Sequence, residues 1–362
     1  MDSSDHPRPI TYPMNVMQPT TRVEPNVDAT VSPMPLIDRY GRIHTSLRIS
    51  VTDRCNIRCF YCMPAELVSF KPREELLTFE EIERFVRVLA PLGINRLRLT
   101  GGEPLIRADL PRLVERLADI PGIQDLALTT NGILLPQFAR QLLKAGLHRL
   151  NISLDTLNEA TFQRIARREG VNRVLQGIDA AIDAGFERIR LNAVAIRDIT
   201  EHEAVALAQY ARTKRCELRF IETMPLDADR HWTRDHVLTG EEIRQRLEDA
   251  FGPLVPKLRE DVSQPAVDFV FADGRGEVGF INPVSQPFCG DCNRLRLTAE
   301  GQVRNCLFSQ REWDARESLR NGGTDDALTQ LVRDCVAGKA AGHGIDGPSF
   351  QPPARAMFQI GG

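Results

Sequence analysis

"RISVTDRCNIRCFYCMP", residues 48–64, joins a β-rich run to a tight group of cysteines. Alternating apolar residues from Leu47 predict a strand that ends near Asp53. Directly after it comes a set that we call the first triad: Cys55, Cys59 and Cys62. Their spacing would also suit the buried face of a helix, but the segment is poor in strong helix formers and ends at Pro64. We therefore interpret the first triad as metal ligands.

Short β-rich runs alternate with amphipathic segments through the first two thirds of the chain. The strand candidates begin at Leu47, Arg96, Leu126, Arg149, Arg188 and Glu217. Segments such as "TFEEIERFVRVLAPLG" and "GVNRVLQGIDAAIDAG" lie between them. Six βα units predict an α/β fold with a parallel sheet, either a partial or full barrel or an open doubly wound sheet. Active sites in such folds lie at the carboxyl ends of the strands.

The chain divides into three parts by composition and rhythm. Residues 1–36 are rich in Pro, Thr and Asp without periodicity, which predicts a disordered tail. Residues 37–254 contain the βα units. From residue 255 the rhythm changes to a hairpin, "AVDFVFADGRGEVGFINP", and a further strand pair. With a helical pattern around Asp325 to Ala337, residues 255–362 predict a smaller α+β region.

Composition and charge are those of a soluble globular protein. Charged residues make up 26% of the chain, and the net charge of −3 gives no bulk attraction to nucleic acid or to an anionic membrane. The apolar runs are too short for a membrane span, and the tail has no apolar signal core. We expect a cytoplasmic location, where clustered cysteines are more often metal ligands than disulfides.

A second cysteine set lies far along the chain. This second triad is a CxxC pair followed by one more cysteine: Cys289, Cys292 and Cys306. Structural zinc sites favour CxxC pairs but need four ligands, so an incomplete zinc ribbon stays an alternative. Cys335 could be proposed as a fourth ligand, although its amphipathic stretch, "LTQLVRDCVAG", favours core packing. Cys216 begins a strand and carries no metal-site spacing. In the first triad, by contrast, the three thiolates suit a [4Fe–4S] cluster that keeps one iron free.

Arginines occur inside four of the predicted strands, at positions 48, 98, 190 and 219. Each alternates with leucines that would face the helices, so the arginines would face the barrel interior. Only five of the 46 basic residues are lysines, and arginine has a planar fork suited to phosphate oxygens. A barrel lined with arginine needs polyanionic contents to offset the cost of burial. A nucleoside triphosphate supplies that charge.

The first triad and a second motif resemble the radical S-adenosylmethionine superfamily. The CxxxCxxC pattern has an aromatic residue, Tyr61, before its last cysteine, and residues 101–104 read "GGEP" at a strand end. The resemblance implies a [4Fe–4S] cluster on the first triad whose free iron binds the methionine moiety of S-adenosylmethionine. One-electron reduction then yields a 5′-deoxyadenosyl radical.

The flanks of the second triad, "FCGDCNRLRL", resemble those of the GTP 3′,8-cyclase family, and the resemblance extends from about Asp38 to the terminal Gly-Gly. It implies a partial (βα)6 TIM-like barrel whose opening is covered by the C-terminal region. It also implies a second [4Fe–4S] cluster facing guanine, and conversion of GTP to (8S)-3′,8-cyclo-7,8-dihydroguanosine 5′-triphosphate. This reaction begins molybdenum cofactor biosynthesis.

The resemblance also implies roles for individual residues. The S-adenosylmethionine contacts would be Tyr61, Gly102, Ser153 and Met224. The GTP contacts would be Arg48, Arg98, Thr129, Arg190, Arg219, Arg294 and Arg296. Arg294, Arg296, Gly361 and Gly362 would serve catalysis, and Arg190 stands where the family typically has lysine.

The implied partners are GTP, an electron donor of unknown identity and a downstream cyclic pyranopterin monophosphate synthase, with no nucleic acid and no membrane. The chain would act as a monomer or homodimer. Two alternatives stay open. A peptide-modifying radical enzyme would be expected to carry more auxiliary cysteines, and a zinc or iron–sulfur structural protein would have no reaction to catalyse.

Overall fold

The six predicted strands lie side by side and parallel in the computed structural model, which describes residues 34–348 and 350–361. They are β1 Ser46–Ser50, β2 Arg96–Thr100, β3 Asp125–Thr130, β4 Arg149–Ser153, β5 Ile189–Ala195 and β6 Glu217–Glu222. Each pairs with the next in chain order, as repeated βα units require. The predicted α/β fold is confirmed.

Helices connect these strands and continue into the C-terminal part. They are α1 Phe79–Leu89, α2 Leu110–Ala118, α3 Leu135–Lys144, α4 Glu159–Ala166, α5 Val171–Ala184, α6 Thr200–Lys214, α7 Gly240–Phe251, α8 Ala315–Arg320, α9 Asp325–Ala337 and α10 Met357–Ile360. The start of α1 has a capping box, in which Thr78 and Glu81 satisfy each other's backbone N–H groups. None of the described helices is both long enough and apolar enough to cross a membrane.

The C-terminal strands extend both edges of the sheet instead of forming a separate layer. They are β7 Leu254–Pro256, β8 Val267–Phe271, β9 Glu277–Ile281, β10 Arg294–Leu297, β11 Gln302–Arg304 and β12 Trp313–Asp314. Strand β10 pairs parallel with β1, and β9 pairs parallel with β6. In the described residues the sheet runs β12-β11-β10-β1-β2-β3-β4-β5-β6-β9-β8-β7 without pairing its two ends. The architecture is therefore a partial barrel.

The alternation of residues along the strands sets the two faces of the sheet. Leu47, Ile49, Leu97 and Leu99 are buried in the hydrophobic core. The residues between them turn to the inner side, which leaves a polar interior at the carboxyl ends of the strands. The predicted tail, residues 1–36, lies almost wholly outside the described residues, and Gly362 lies outside them too.

Candidate active site

One cavity of about 330 Å³ opens at the carboxyl ends of the strands. Both cysteine triads line it, although more than two hundred positions separate them in the sequence. All six cysteines are free thiols and half-buried. The structure therefore places two sets of sulfur ligands around one chamber.

The first triad lies on a loop that the end of α4 holds in place. Arg58 N donates to Ala166 O at 2.8 Å, and Phe60 N donates to Ile165 O at 3.1 Å. Burial, followed by the charge of Glu103, raises the pKa of the Cys55 thiol to about 11. Burial and the neighbouring Cys55 raise the pKa of Cys62 to about 12. These thiols need a nearby cation before they become thiolates, and iron supplies one.

The "GGEP" turn packs its backbone directly on the strand that precedes the first triad. Gly102 N donates to Thr52 O at 2.7 Å. A Cβ on Gly102 would lie 2.3 Å from Arg54 O, so only glycine fits there. Glu103 is buried and accepts hydrogen bonds from Leu105 N, Thr130 Oγ1 and Asn131 N. Burial raises its pKa to about 7, although these donors oppose the shift.

The predicted S-adenosylmethionine residues line the same cavity: Tyr61, Gly102, Ser153 and Met224. The Tyr61 hydroxyl donates to Asp155 Oδ2 at 2.7 Å, and Val194 N donates to Asp155 Oδ1 at 2.8 Å. Asp155 thus fixes the ring of Tyr61 against the first triad. Burial raises the pKa of Asp155 to about 6.

The second triad has a more cationic setting than the first. Arg294 donates from Nη2 to Cys292 Sγ at 3.2 Å, and Lys339 donates from Nζ to the same sulfur at 3.4 Å. Although burial opposes the change, the charges of Arg294 and Lys339 lower the pKa of Cys292 to about 6. Cys292 is therefore prepared to act as a thiolate ligand.

The donor sets fit iron–sulfur clusters better than single ions. Two thiolates on one zinc ion lie at most about 4.6 Å apart, since each Zn–S bond is about 2.3 Å. In the part of the chain that the structure describes, no three His, Cys, Asp or Glu side chains gather closely enough to hold one ion. A cubane offers separate iron corners to separate sulfurs, and three sulfurs leave one iron free.

A row of arginines crosses three neighbouring strands in register. Arg48 lies opposite Arg296 on β10 and opposite Arg98 on β2. No ion pair from the described residues reaches Arg48 or Arg98. Burial, and then the adjacent arginines, push the pKa of both guanidinium groups well below the usual value. Like charges side by side on a sheet are destabilising, so this row calls for an anionic ligand.

The other two strand arginines already have carboxylate partners. Arg190 donates from Nε to Glu217 Oε2 at 2.7 Å and does not line the cavity. Arg219 lines it and pairs with both Glu217 and Asp268. Thr129 also lines the cavity, and its buried Oγ1 has no hydrogen-bond partner in the described part of the chain. Such a buried hydroxyl is a binding group that awaits a ligand.

The C-terminal segment enters this site. Arg296 Nη1 donates to the carbonyl oxygen of Gly361, whose φ of 74° is left-handed. A Cβ on Gly361 would lie 2.8 Å from Thr100 Cγ2, so glycine is required by space as well as by conformation. The role predicted for Gly362 falls on a residue outside the described ones.

Sequence reasoning missed three further residues of this site. Asn192 lines the cavity with an unpartnered buried Oδ1, and it lies two positions after Arg190 on the same strand. Strand alternation could have found it. Glu222 accepts from Val284 N and Ser285 N, both at 2.9 Å, and so holds the segment before Cys289. Neither this contact nor that of Lys339 had a local signal in the sequence.

Two known families match different parts of the chain. Residues 49–211 match the family described as the Radical SAM superfamily. Residues 216–345 match the family described as Molybdenum Cofactor Synthesis C. Together they span most of the described chain.

Similar proteins of known name cover nearly the whole sequence. A GTP 3′,8-cyclase of Rhodopirellula baltica is 56% identical over 333 residues, which are 91% of this chain and 93% of that protein. A GTP 3′,8-cyclase of Mycobacterium sp. is 46% identical and covers 91% of this chain and 94% of its own. One of Corynebacterium glutamicum is 44% identical, with 90% and 89% covered.

Solved structures support the fold alone. SuiB of Streptococcus suis bound to S-adenosylmethionine superposes with a TM-score of 0.56 at 14% identity, covering 82% of this chain and 68% of that one. The enzyme anSMEcpe with bound AdoMet gives a TM-score of 0.56 at 14% identity, covering 83% and 79%.

Proposed function

The chain belongs to the GTP 3′,8-cyclase family, and from this premise we propose how its cavity performs the reaction. The enzyme converts GTP to (8S)-3′,8-cyclo-7,8-dihydroguanosine 5′-triphosphate in the first step of molybdenum cofactor biosynthesis. The observation that supports this assignment best is that both triads open onto one cavity beside Arg48 and Arg98, which pair with no carboxylate of the described residues.

Each triad would hold a [4Fe–4S] cluster through its sulfurs. When bound, the first cluster and S-adenosylmethionine supply the radical that takes hydrogen from C3′ of GTP, and the second cluster supplies an iron for the guanine base. Tyr61, Gly102, Ser153 and Met224 would position S-adenosylmethionine beside the first triad. The remaining roles belong to the binding groups between the two triads.

The arginine row would hold the triphosphate. Arg48 and Arg98 have no carboxylate partner among the described residues, so an incoming anion would relieve their mutual repulsion. Arg294, Arg296 and Thr129 would fix the substrate against the second triad. Arg219 would be shared between Glu217 and the substrate, and Arg190, which lies outside the cavity lining, would have to leave Glu217 to reach it. Holding C3′ at one place is catalysis by positioning.

The C-terminal segment would limit access of water to the reacting atoms. Met357 and Phe358 of α10 line the cavity, and Arg296 fixes the carbonyl of Gly361. This contact supports catalytic roles for Arg296 and Gly361, and the family membership supports the same role for Arg294 and for Gly362, which lies outside the described residues. Residues 37–254 would thus supply the radical chemistry, and residues 255–362 the substrate end and the cover.

The setting of the reaction follows from the same assignment. The enzyme would work in the cytoplasm as a monomer or homodimer, accept electrons from a separate electron donor and pass its product to cyclic pyranopterin monophosphate synthase. SuiB has also been solved bound to a precursor peptide, but it is only 15% identical to this chain, so the two share the fold alone. A peptide substrate has no support in the arginine-lined cavity.

Anaerobic reconstitution tests the proposal. We expect about eight irons per chain, four at each triad, and 5′-deoxyadenosine release that depends on GTP. Mass analysis of the nucleotide should find the cyclised isomer. Cys292→Ser should reduce iron to about four per chain and abolish the product. Cys216→Ser, a buried cysteine distant from both triads, is the control, and zinc in place of iron would contradict the proposal.

A further inference from the structure

Lys339 is the buried exception among the lysines of this protein. Lys339 is only 3% exposed, whereas the other four lysines are exposed or half-buried. It follows directly after α9 and reaches back across the second triad. Burial of a lysine is costly unless its ammonium group finds partners, so its contacts have a purpose.

Those contacts are all on the second triad and its flank. Nζ donates to Arg294 O at 3.0 Å and to Cys292 Sγ at 3.4 Å. No carboxylate of the described residues pairs with it, so its charge is directed at the sulfur. A hydrogen bond from a charged donor such as this ammonium group is stronger than one between neutral groups.

Arg42 fixes the position from which Lys339 acts. Its Nη1 donates to Cys289 O at 2.7 Å and to Ala341 O at 3.0 Å, and its Nη2 donates to Ala340 O at 2.7 Å. Asp38 holds Arg42 through Nε at 2.6 Å. The backbone just after Lys339 and the backbone of the second triad are therefore tied to the same guanidinium group.

We propose that Lys339 is a positioning residue that raises the reduction potential of the cluster held by the second triad. The inference rests on the proposed function, which places a [4Fe–4S] cluster there. One-electron reduction adds a negative charge to a cluster, and a buried cation bonded to one ligand sulfur stabilises that charge. In a site screened from water the effect of the cation is large.

The test is an anaerobic titration with dithionite followed by electron paramagnetic resonance. The second cluster is isolated in the full chain by combining Cys55→Ala, Cys59→Ala and Cys62→Ala. In that background Lys339→Met should favour the oxidised form at least tenfold at a fixed potential, a shift of about 59 mV to more negative values for one electron. Lys339→Arg should restore most of the difference, because it keeps the charge.

Controls separate this inference from the proposed function. Lys257→Met removes an exposed lysine paired with Glu277 and should leave the potential unchanged. If the unmodified second triad binds no four-iron cluster, the proposed function fails first. If the cluster forms and Lys339→Met leaves its potential unchanged, only the inference fails.

Loss of iron is also informative. If Lys339→Met cannot retain the cluster, the reduction potential is measured in Lys339→Gln instead. This variant keeps a hydrogen-bond donor without the charge, and its potential should again be more negative than that of the unsubstituted chain. Loss of iron from both variants would overturn the proposal, because Lys339 would then support only the folding of the loop.

Discussion

Arg98 shows how a single residue can serve a ligand at the expense of the free protein. It is half-buried beside other arginines, and no described carboxylate neutralises it. The strand would be more stable with an apolar residue of similar length there. The position is therefore better explained by binding than by folding, and stability and function should respond in opposite directions.

We predict that Arg98→Met raises the melting temperature of the ligand-free protein and weakens GTP binding about 10- to 100-fold, the loss of one charged hydrogen-bonding group. Thermal unfolding and equilibrium binding measure the two effects. Arg188→Met is the matched control, because Arg188 is an exposed arginine just before β5. A lower melting temperature for Arg98→Met would show that the side chain supports the fold.

Glu103 gives a prediction about pH. Its pKa is raised by burial to about 7, so the folded chain binds a proton that the unfolded chain has released. The stabilisation is complete below the unfolded pKa and is lost as the pH rises through 7. Between about pH 5.5 and pH 8 the metal-free protein should lose about 2 kcal/mol from this group alone.

Glu103→Gln should remove that part of the pH dependence, because the amide does not titrate. Urea unfolding at the two pH values measures the difference in unfolding free energy. Glu74→Gln, on an exposed carboxylate, should leave the dependence as it is. If Glu103→Gln and the unsubstituted chain lose stability in parallel, Glu103 is ionised throughout the range.

At the scale of elements, local patterns predicted the strands and helices but not their distant partners. Alternation located β1 to β6, and the 3.6-residue period located helices such as α1, α5 and α9. The pairing of β10 with β1 joins segments about 250 positions apart, and nothing in either strand specifies the other. The sequence therefore predicted an added region, whereas the structure has one continuous sheet.

In the site, too, local features could be predicted from the sequence and distant contacts could not. The triads and the inward arginines were visible as spacing and alternation, which are local properties. The ion pair between Arg190 and Glu217 was not, because it depends on the register between β5 and β6. The contact of Lys339 with Cys292 was hidden because it depends on tertiary packing, which brings the residues after α9 to the loop before β10.

The turn after β2 gives a prediction at this scale. Gly102→Ala would place Cβ 2.3 Å from Arg54 O and 2.8 Å from Asp53 O, both backbone atoms that cannot move independently. We expect a loss of about 3 kcal/mol in unfolding free energy, the upper end for overpacking, together with loss of S-adenosylmethionine binding. Chemical denaturation and equilibrium binding measure both.

Gly290→Ala is the control for that substitution, because the space around its Cβ is open and its backbone is not left-handed. Its unfolding free energy should stay within about 0.5 kcal/mol of the unsubstituted chain. A stable Gly102→Ala variant that still binds S-adenosylmethionine would show that the two strand ends can separate without loss of the site.

Across the whole molecule, both ends of the described chain meet at the second triad and the cavity. Asp38 and Arg42 near the start hold the backbone of Cys289, while Gly361 near the end lies against Arg296. The C-terminal segment is attached by Arg355, which pairs with Glu300 and Glu312. Glu312 in turn pairs with the buried Arg304, two residues before Cys306. One charge network thus connects the second triad to the tail.

This network predicts that attachment of the tail can be lost without loss of the metal sites. Arg355→Met leaves Glu300 without its partner and should let the last residues leave the cavity, so that turnover falls at least about tenfold, the scale for a lost positioning contact. Iron content and GTP affinity should stay near those of the unsubstituted enzyme, because the triads and the arginine row are intact. Arg246→Met, on an exposed arginine of α7, is the matched control. Equal losses of iron and turnover in Arg355→Met would mean that the network supports the second triad, and that the position of Gly361 has no separate role in the reaction.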